Sequence, residues 1–248
     1  MHGLIQQNVT GLTLRLLVRS KAKLISQFPT LLDLVNLQLD IIEGDFEERS
    51  VLSRVIVGTD AIFMCVGTNH CAPGISVVSD TARAIIDVLE QDSNLQGARY
   101  HKPTILQLRL VSLNPVLSRS TPAFIHSTLR YCLHYVYADV ESACNLYQSS
   151  AMVHKELFEY VLVDPPAIHN PDHRELFGNR LVPSNQANAA SLMSKTLNYS
   201  NLGAAFCDIA QRRSEFGGQS VGVSAPGEEK ENWTPLYGYI LGGLRSRV

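Results

Sequence analysis

The sequence lacks a glycine-rich phosphate-binding loop near its start. Gly3 and Gly11 stand alone there, and neither GxGxxG nor GxxGxxG can be read around them. The first strand-like run begins near Thr13, which leaves too few residues in front of it for a βαβ unit of roughly 30 residues. A cradle of backbone N–H groups for a pyrophosphate is therefore missing from the region where such a motif would open a nucleotide-binding fold.

Metal-binding patterns are also lacking. The 5 cysteines are scattered along 248 residues without a CxxC pair, which argues against a zinc site or a disulfide framework and favours reduced thiols. His169 and His173 are four residues apart, but Pro171 between them is incompatible with the helical geometry of paired zinc ligands. We therefore predict no metal site.

Charge and hydropathy exclude two further classes of partner. The formal net charge is -2, whereas a general nucleic-acid surface needs a basic face. No apolar run approaches the ~20 residues that span a bilayer, and the first residues have neither the basic leader nor the apolar segment of a signal peptide. The sequence predicts a soluble, cytoplasmic protein that binds a small-molecule substrate and neither nucleic acid nor membrane.

Three strand-like runs between residues 12 and 68 organise the N-terminal part. They cover residues 14–20, 39–45 and 60–68. Apolar runs of this kind, separated by helix-length segments, are typical of a parallel sheet that is buried on both faces in an α/β protein. Because ligands bind outside the carboxyl ends of such strands, we expect Arg19, Asp45 and Gly67 to lie near a ligand.

The remaining sequence predicts further strands and helices. Apolar spacing predicts helices over residues 46–57, 76–91 and 129–147, and strands over 104–111 and 160–163. Strict alternation in 106–110 predicts a strand with one less buried face. Ser200 or Asn201 is expected to cap another helix, residues 217–234 to be mobile, and residues 236–244 to form a last helix.

Seven short sequences, spread in order over residues 12 to 223, indicate a family. They are Leu17-Val18-Arg19-Ser20, Glu43-Gly44-Asp45, Gly58-Thr59-Asp60-Ala61, Tyr137-Ala138-Asp139, Tyr160-Val161-Leu162-Val163-Asp164-Pro165-Pro166, Leu197-Asn198-Tyr199-Ser200-Asn201-Leu202 and Gln219-Ser220-Val221-Gly222-Val223. Together they resemble the atypical short-chain dehydrogenase/reductases, specifically the NmrA-like or NAD(P)H-binding group. The likeness is greatest to small members found in fungal secondary metabolism.

The resemblance implies a Rossmann-like, doubly wound parallel sheet that is truncated at its N-terminus and has a small C-terminal substrate region. Residues 1–168 would form the NAD(P)-binding core. Residues 169–248 would form helices and loops packed on that core. Two explanations of the missing first strand stay open: a protein that lacks it, and a truncated gene model whose strand and GxxGxxG are encoded upstream of Met1.

The family also implies NADP(H) as cofactor. By position, the binding residues would be Arg19, Ser20, Lys23, Asp45, Phe46, Val66, Gly67, Thr68, Pro165 and Pro166. Arg19 and Ser20, assisted by Lys23, would hold the adenosine 2′-phosphate, because a guanidinium can grip a phosphate with two hydrogen bonds.

The other cofactor residues would contact the adenosine and the nicotinamide. Asp45 and Phe46 would border the adenine, and residues 66–68 would pass beneath its ribose, where Gly67 permits close backbone approach. The two prolines after residue 164 would flank the nicotinamide pocket.

The predicted catalytic residues depart from the family pattern. Classical short-chain dehydrogenase/reductases use a serine after the fifth strand and a Tyr-x-x-x-Lys helix, whose lysine lowers the tyrosine pKa, whereas atypical members often lack this pair. Here Ser112 occupies the strand end and Tyr135 the tyrosine position, but Asp139 stands four residues on. A carboxylate there disfavours phenolate and raises the tyrosine pKa. Asp164 is a second departure, because many relatives have arginine at this position.

Three functions follow from these observations. The first is an NAD(P)H-dependent oxidoreductase that acts on a small organic or polyketide-like substrate of secondary metabolism. The second is a non-catalytic NAD(P)-binding or regulatory module, which the missing glycine loop favours. The third is a redox-neutral isomerase, cyclase or dehydratase, in which Ser112, Tyr135 and Asp139 carry out acid/base chemistry.

Overall fold

Parallel strands joined by helices make up most of the chain that the computed structural model describes, residues 12–29, 31, 37–68, 70–171 and 176–227. The strands are β1 Leu12–Val18, β2 Leu37–Glu43, β3 Ala61–Met64, β4 Thr104–Leu108, β5 Glu159–Asp164, β6 Ala167–His169, β7 Arg180–Pro183, β8 Thr196–Asn198 and β9 Gln219–Ser224. The helices are α1 Lys21–Gln27, α2 Arg49–Ile56, α3 Val77–Gln96, α4 Ala123–Cys132, α5 His134–Val153, α6 Tyr199–Gln211 and α7 Arg213–Phe216. The predicted helix over 236–244 lies outside the described residues.

Three sheets form from these strands. The largest has the order β3-β4-β5-β9-β7, in which the first four strands are parallel and β7 runs antiparallel to β9. β1 and β2 form a parallel pair, and β6 and β8 form another. The mostly parallel arrangement confirms the predicted α/β, Rossmann-like class.

β1 and β2 are separate from the five-stranded sheet. Within the described residues, they pair with each other and with no strand of that sheet.

The centre of the five-stranded sheet is buried on both faces. Ile105 and Leu106, adjacent in β4, point to opposite faces and are both fully buried in two different apolar clusters. The cluster around Ile105 includes residues of α3 and α5, and the cluster around Leu106 includes residues of α6. The prediction of a less buried face in this strand is wrong, because even Gln107 is fully buried.

The predicted long helix is two helices. α4 ends at Cys132 and α5 begins at His134, so Leu133 separates them, and α5 continues beyond the predicted end to Val153. The cap of α6 is Asn198, whose side-chain oxygen accepts a hydrogen bond from the Asn201 N–H at 2.8 Å. Both differences are shifts within elements that the sequence predicts.

The expectation of a mobile segment from residue 217 is wrong for β9. This strand lies between β5 and β7, and Val221 and Val223 are fully buried. Its glycine and serine residues suit close packing: a Cβ on Gly222 would lie 2.6 Å from the Met193 sulfur. Small residues therefore mark a crowded strand here. No described helix is long and apolar enough to cross a membrane.

Candidate active site

Ser112 lies just beyond the carboxyl end of β4. The Arg109 N–H donates to the Val163 carbonyl at 2.8 Å, and the Val111 N–H donates to the Pro165 carbonyl at 3.0 Å. These bonds continue the pairing with the β5 segment up to a short 3₁₀ turn, Val111–Leu113, which carries the serine. Ser112 therefore occupies the strand end predicted for it.

Tyr137 is the tyrosine that meets this serine. Its hydroxyl lies 2.7 Å from Ser112 Oγ, and the residue is only 4% exposed. The predicted Tyr135 lies about 200° away around α5, since each helical residue turns the chain by about 100°, and its ring packs edge-on against His134. The structure therefore brings Ser112 together with Tyr137.

The environment of Tyr137 favours the protonated phenol. Burial raises its pKa above the usual range, while the hydrogen bond with Ser112 and the positive charge of Arg130 act in the opposite direction. The residue four positions on is Glu141, so α5 supplies no lysine at this point. The cation that lowers the pKa of the phenol is instead Arg130, which belongs to α4.

Asp139 caps a helix. Its Oδ2 accepts a hydrogen bond from the Val78 N–H at 2.8 Å, and its Oδ1 accepts one from the Ser79 N–H at 2.9 Å. These N–H groups belong to the first turn of α3, and the carboxylate is buried. Asp139 thus satisfies donors that a helix start leaves unpaired, and it lies about 200° around α5 from Tyr137.

A cleft of about 540 Å³ opens beside Ser112. The polar residues that line it are Ser112, Ser118, Thr121, His126, Ser127 and Arg130. His126 Nε2 lies 2.9 Å from the Ser112 carbonyl oxygen, so this nitrogen carries the hydrogen and donates it. Arg130 Nη2 donates to Glu141 Oε1 at 2.9 Å.

A buried ion pair lies behind the serine turn. The Arg109 guanidinium donates from Nε and Nη2 to the two oxygens of Asp164, each at 2.6 Å. Asn114 Nδ2 donates to the same carboxylate at 2.7 Å, and its Oδ1 accepts hydrogen bonds from the N–H groups of Val116 and Leu117. Asp164 therefore holds the arginine that directly follows β4 and fixes the loop that follows Ser112.

The residues predicted to bind the adenosine phosphate lie after β1. Arg19 and Lys23 are exposed, and Ser20 Oγ accepts the Lys23 N–H at 3.2 Å at the start of α1. After β2, Asp45 Oδ1 accepts the Glu47 N–H at 3.2 Å, and Phe46 is half-buried. The strand-end positions predicted for these residues are thus the ones observed.

The other predicted cofactor residues follow β3 and β5. Val66 and Gly67 are exposed, a Cβ on Gly67 would meet nothing within 4 Å, and Thr68 Oγ1 accepts the His70 N–H at 3.0 Å. Pro165 and Pro166 are buried. The hydrogen bond from Val111 to the Pro165 carbonyl brings the first proline next to the serine turn.

Sequence reasoning missed five site residues: Arg109, Asn114, His126, Arg130 and Tyr137. A signal for the last was present, because Tyr137 follows Leu133 by four residues and precedes Val140 by three, on the apolar stripe of α5. The other four depend on contacts between separate elements, for which the sequence has no local pattern.

No protein-family model matches the chain. Averufin oxidase A from Aspergillus flavus is 39% identical over 248 residues, covering 100% of this chain and 85% of that protein. Averufin oxidase A from Dothistroma septosporum strain NZE10 is 38% identical over 237 residues, covering 96% and 82%. A short-chain dehydrogenase/reductase from Veillonella parvula, solved in complex with NADP, shares the fold at a TM-score of 0.57 and 14% identity, covering 88% of this chain and 96% of that one.

These relatives match nearly the whole chain, and the solved structure has the same fold. The chain therefore belongs to the averufin oxidase A family and has the Rossmann-like fold of the solved short-chain dehydrogenase/reductase.

Proposed function

We propose that this protein is an NADP(H)-dependent oxidoreductase that acts on a small secondary metabolite of the kind named in its averufin oxidase relatives. The observation that carries the proposal is the 2.7 Å contact between the hydroxyl groups of Ser112 and Tyr137. It lies at the carboxyl end of β4, beside a cleft of about 540 Å³. Ligands bind at this edge of an open α/β sheet.

The hydroxyl pair suits proton donation to a carbonyl oxygen. Because burial raises the pKa of Tyr137, its phenol keeps its proton at neutral pH and can donate it. Ser112 can donate a second hydrogen bond to the same oxygen. The hydrogen bond from His126 to the Ser112 carbonyl holds the turn that carries this serine. Oxidation of an alcohol needs the phenolate as a base, so this direction is expected to gain from alkaline pH.

The described residues fit the adenosine end of a nicotinamide nucleotide. When bound, this cofactor would supply or accept the hydride. Exposed Arg19 and Lys23, on either side of Ser20, offer cationic donors to a 2′-phosphate. The open space at Gly67 leaves the backbone accessible to a ribose. No glycine-rich loop for the pyrophosphate occurs in the described residues.

We also propose that the region from residue 169 shapes the substrate site. Support comes from an apolar cluster in which Leu117, in the loop that borders the cleft, packs with Val182 and Ala189. The redox-neutral alternative loses its support, because both oxygens of Asp139 are engaged by α3.

Two measurements test the proposed function. NADPH and NADH are titrated into the full chain while protein fluorescence and thermal stability are followed, and averufin is then supplied with NADPH or NADP+ while nicotinamide absorbance is recorded. We expect NADPH to stabilise the protein more than NADH does, and averufin to change the absorbance. A protein that neither nucleotide affects would contradict the proposal.

A further inference from the structure

One face of α4 lines the cleft beside Ser112. Ala123, His126, Ser127 and Arg130 all contribute to the lining, and their spacing of three, four and seven residues places them on one side of the helix. His126 also donates to the Ser112 carbonyl at 2.9 Å. The cleft and the hydroxyl pair therefore form one continuous site.

Arg130 gives this site a positive charge. Within the part of the chain that the structure describes, it is the one charged residue among those that line the cleft, and the Glu141 carboxylate pairs with it from outside this lining. Its side chain is 47% exposed, and the ion pair with Glu141 involves Nη2 alone. A guanidinium has five N–H donors, so this ion pair leaves donors for a second acceptor in the cleft.

Arg130 lies on the same helix as the histidine that contacts the serine turn. Arg130 lies one helical turn beyond His126, which is roughly 6 Å along the axis of α4. Resting on the oxidoreductase function proposed above, we propose that Arg130 binds an ionised oxygen of the substrate while Ser112 and Tyr137 contact its reacting carbonyl. The substrate class is a small carbonyl compound that also carries a phenolate or carboxylate.

Binding of simple probes to the full chain tests this inference. Naphthoate is compared with naphthalenemethanol, a neutral molecule of similar shape, by calorimetry at a mildly alkaline pH where an imidazole carries no charge. A charge-assisted hydrogen bond predicts that naphthoate binds about tenfold more tightly than the alcohol. Arg130→Gln is expected to abolish this difference, and Arg130→Lys to keep part of it.

Arg83→Gln is the matched control, because Arg83 forms an exposed ion pair with Asp80 on α3 and does not line the cleft. A second arm uses para-nitrophenol above and below its pKa, and shows whether a phenolate binds more tightly than the neutral phenol. Arg130-dependent binding of either anion supports the inference. Equal affinity for charged and neutral probes, undetectable binding of both anions, or unchanged anion affinity in Arg130→Gln would overturn it.

The probe experiment is independent of the nucleotide. Naphthoate and para-nitrophenolate are tested without NADPH and without turnover, so a failed nucleotide titration leaves the result on Arg130 valid. Equally, a wild-type protein that turns over averufin but does not discriminate between the probes would refute the role of Arg130 alone.

Discussion

Arg109 and Asp164 join the ends of β4 and β5 through two parallel hydrogen bonds of 2.6 Å. The Asp164 side chain has 0% exposure and that of Arg109 has 11%. Removing one partner from such a pair leaves a buried charge without compensation. Substitution of either Arg109 or Asp164 is therefore expected to displace the loop that carries Ser112.

We expect Arg109→Met to lower the free energy of unfolding by about 3 kcal/mol, the lower end of the cost of breaking a buried ion pair. Urea unfolding followed by circular dichroism measures it. The double variant Arg109→Met with Asp164→Leu should recover part of the loss, because no buried charge remains. Arg83→Met, at an exposed pair, should cost less than about 1 kcal/mol. Equal losses of unfolding free energy in Arg109→Met and Arg83→Met would contradict the assignment of Arg109 and Asp164 as a stabilising buried ion pair.

Asp139→Asn is expected to destabilise the protein without altering its chemistry. The substitution replaces one of two acceptors at the start of α3 with an NH2 group, which costs roughly 1 to 2 kcal/mol for a helix cap. Thermal unfolding measures the loss, with the exposed Asp87→Asn in the same helix as control. Loss of turnover in a variant with unchanged stability would restore Asp139 as an acid/base candidate.

Arg19→Gln is expected to weaken NADPH binding and to leave NADH binding unchanged. Charge-assisted hydrogen bonds to a phosphate predict a loss of roughly tenfold or more in NADPH affinity, and NADH lacks that phosphate. Fluorescence titration of both nucleotides gives the ratio. Arg99→Gln, an exposed arginine just beyond α3, serves as the control. A parallel loss of affinity for both nucleotides would place Arg19 elsewhere on the cofactor.

Stability is expected to fall at alkaline pH partly because of Tyr100. Its hydroxyl donates to the Leu157 carbonyl at 2.6 Å, and burial, followed by the charge of Asp92, raises its pKa from 10.0 to about 12. The folded protein then holds this proton over a pH range in which the unfolded chain has lost it. The contribution is complete below pH 10 and is lost as the pH rises through about 12.

The comparison with Tyr100→Phe isolates this effect. Urea unfolding at a series of pH values should show a shallower alkaline decline in the variant than in the wild type. Spectrophotometric titration of the phenolate checks the pKa of Tyr100 directly. Identical pH dependence in both proteins would show that Tyr100 titrates alike in the folded and unfolded states.

The sequence was informative where local patterns decide the structure. Apolar runs predict the strands that place Arg19, Asp45 and Ser112 at carboxyl ends, because parallel strands align their ends by geometry. It was misleading for β9, whose glycine and serine residues serve close packing against Met193. A crowded strand and a loop can both be rich in small polar residues, so composition alone does not distinguish them.

The choice of tyrosine shows the limit of motif spacing. The family spacing favours Tyr135, because a titratable residue follows it by four positions, yet helix phase decides which side chain faces the strand ends. Asp139 belongs to the cap of α3, a contact across some sixty residues that no local pattern reveals. The pairs Arg109 with Asp164 and Arg130 with Glu141 likewise join separate elements.

The most direct test of the account is turnover in Tyr137→Phe beside Tyr135→Phe. We predict that averufin-dependent nicotinamide turnover falls at least about 100-fold in Tyr137→Phe, the lower range for loss of a general acid. Tyr135→Phe should stay near the wild-type rate, and both variants should keep their NADPH affinity. Wild-type turnover in Tyr137→Phe, or the large loss in Tyr135→Phe instead, would contradict the Ser112–Tyr137 site.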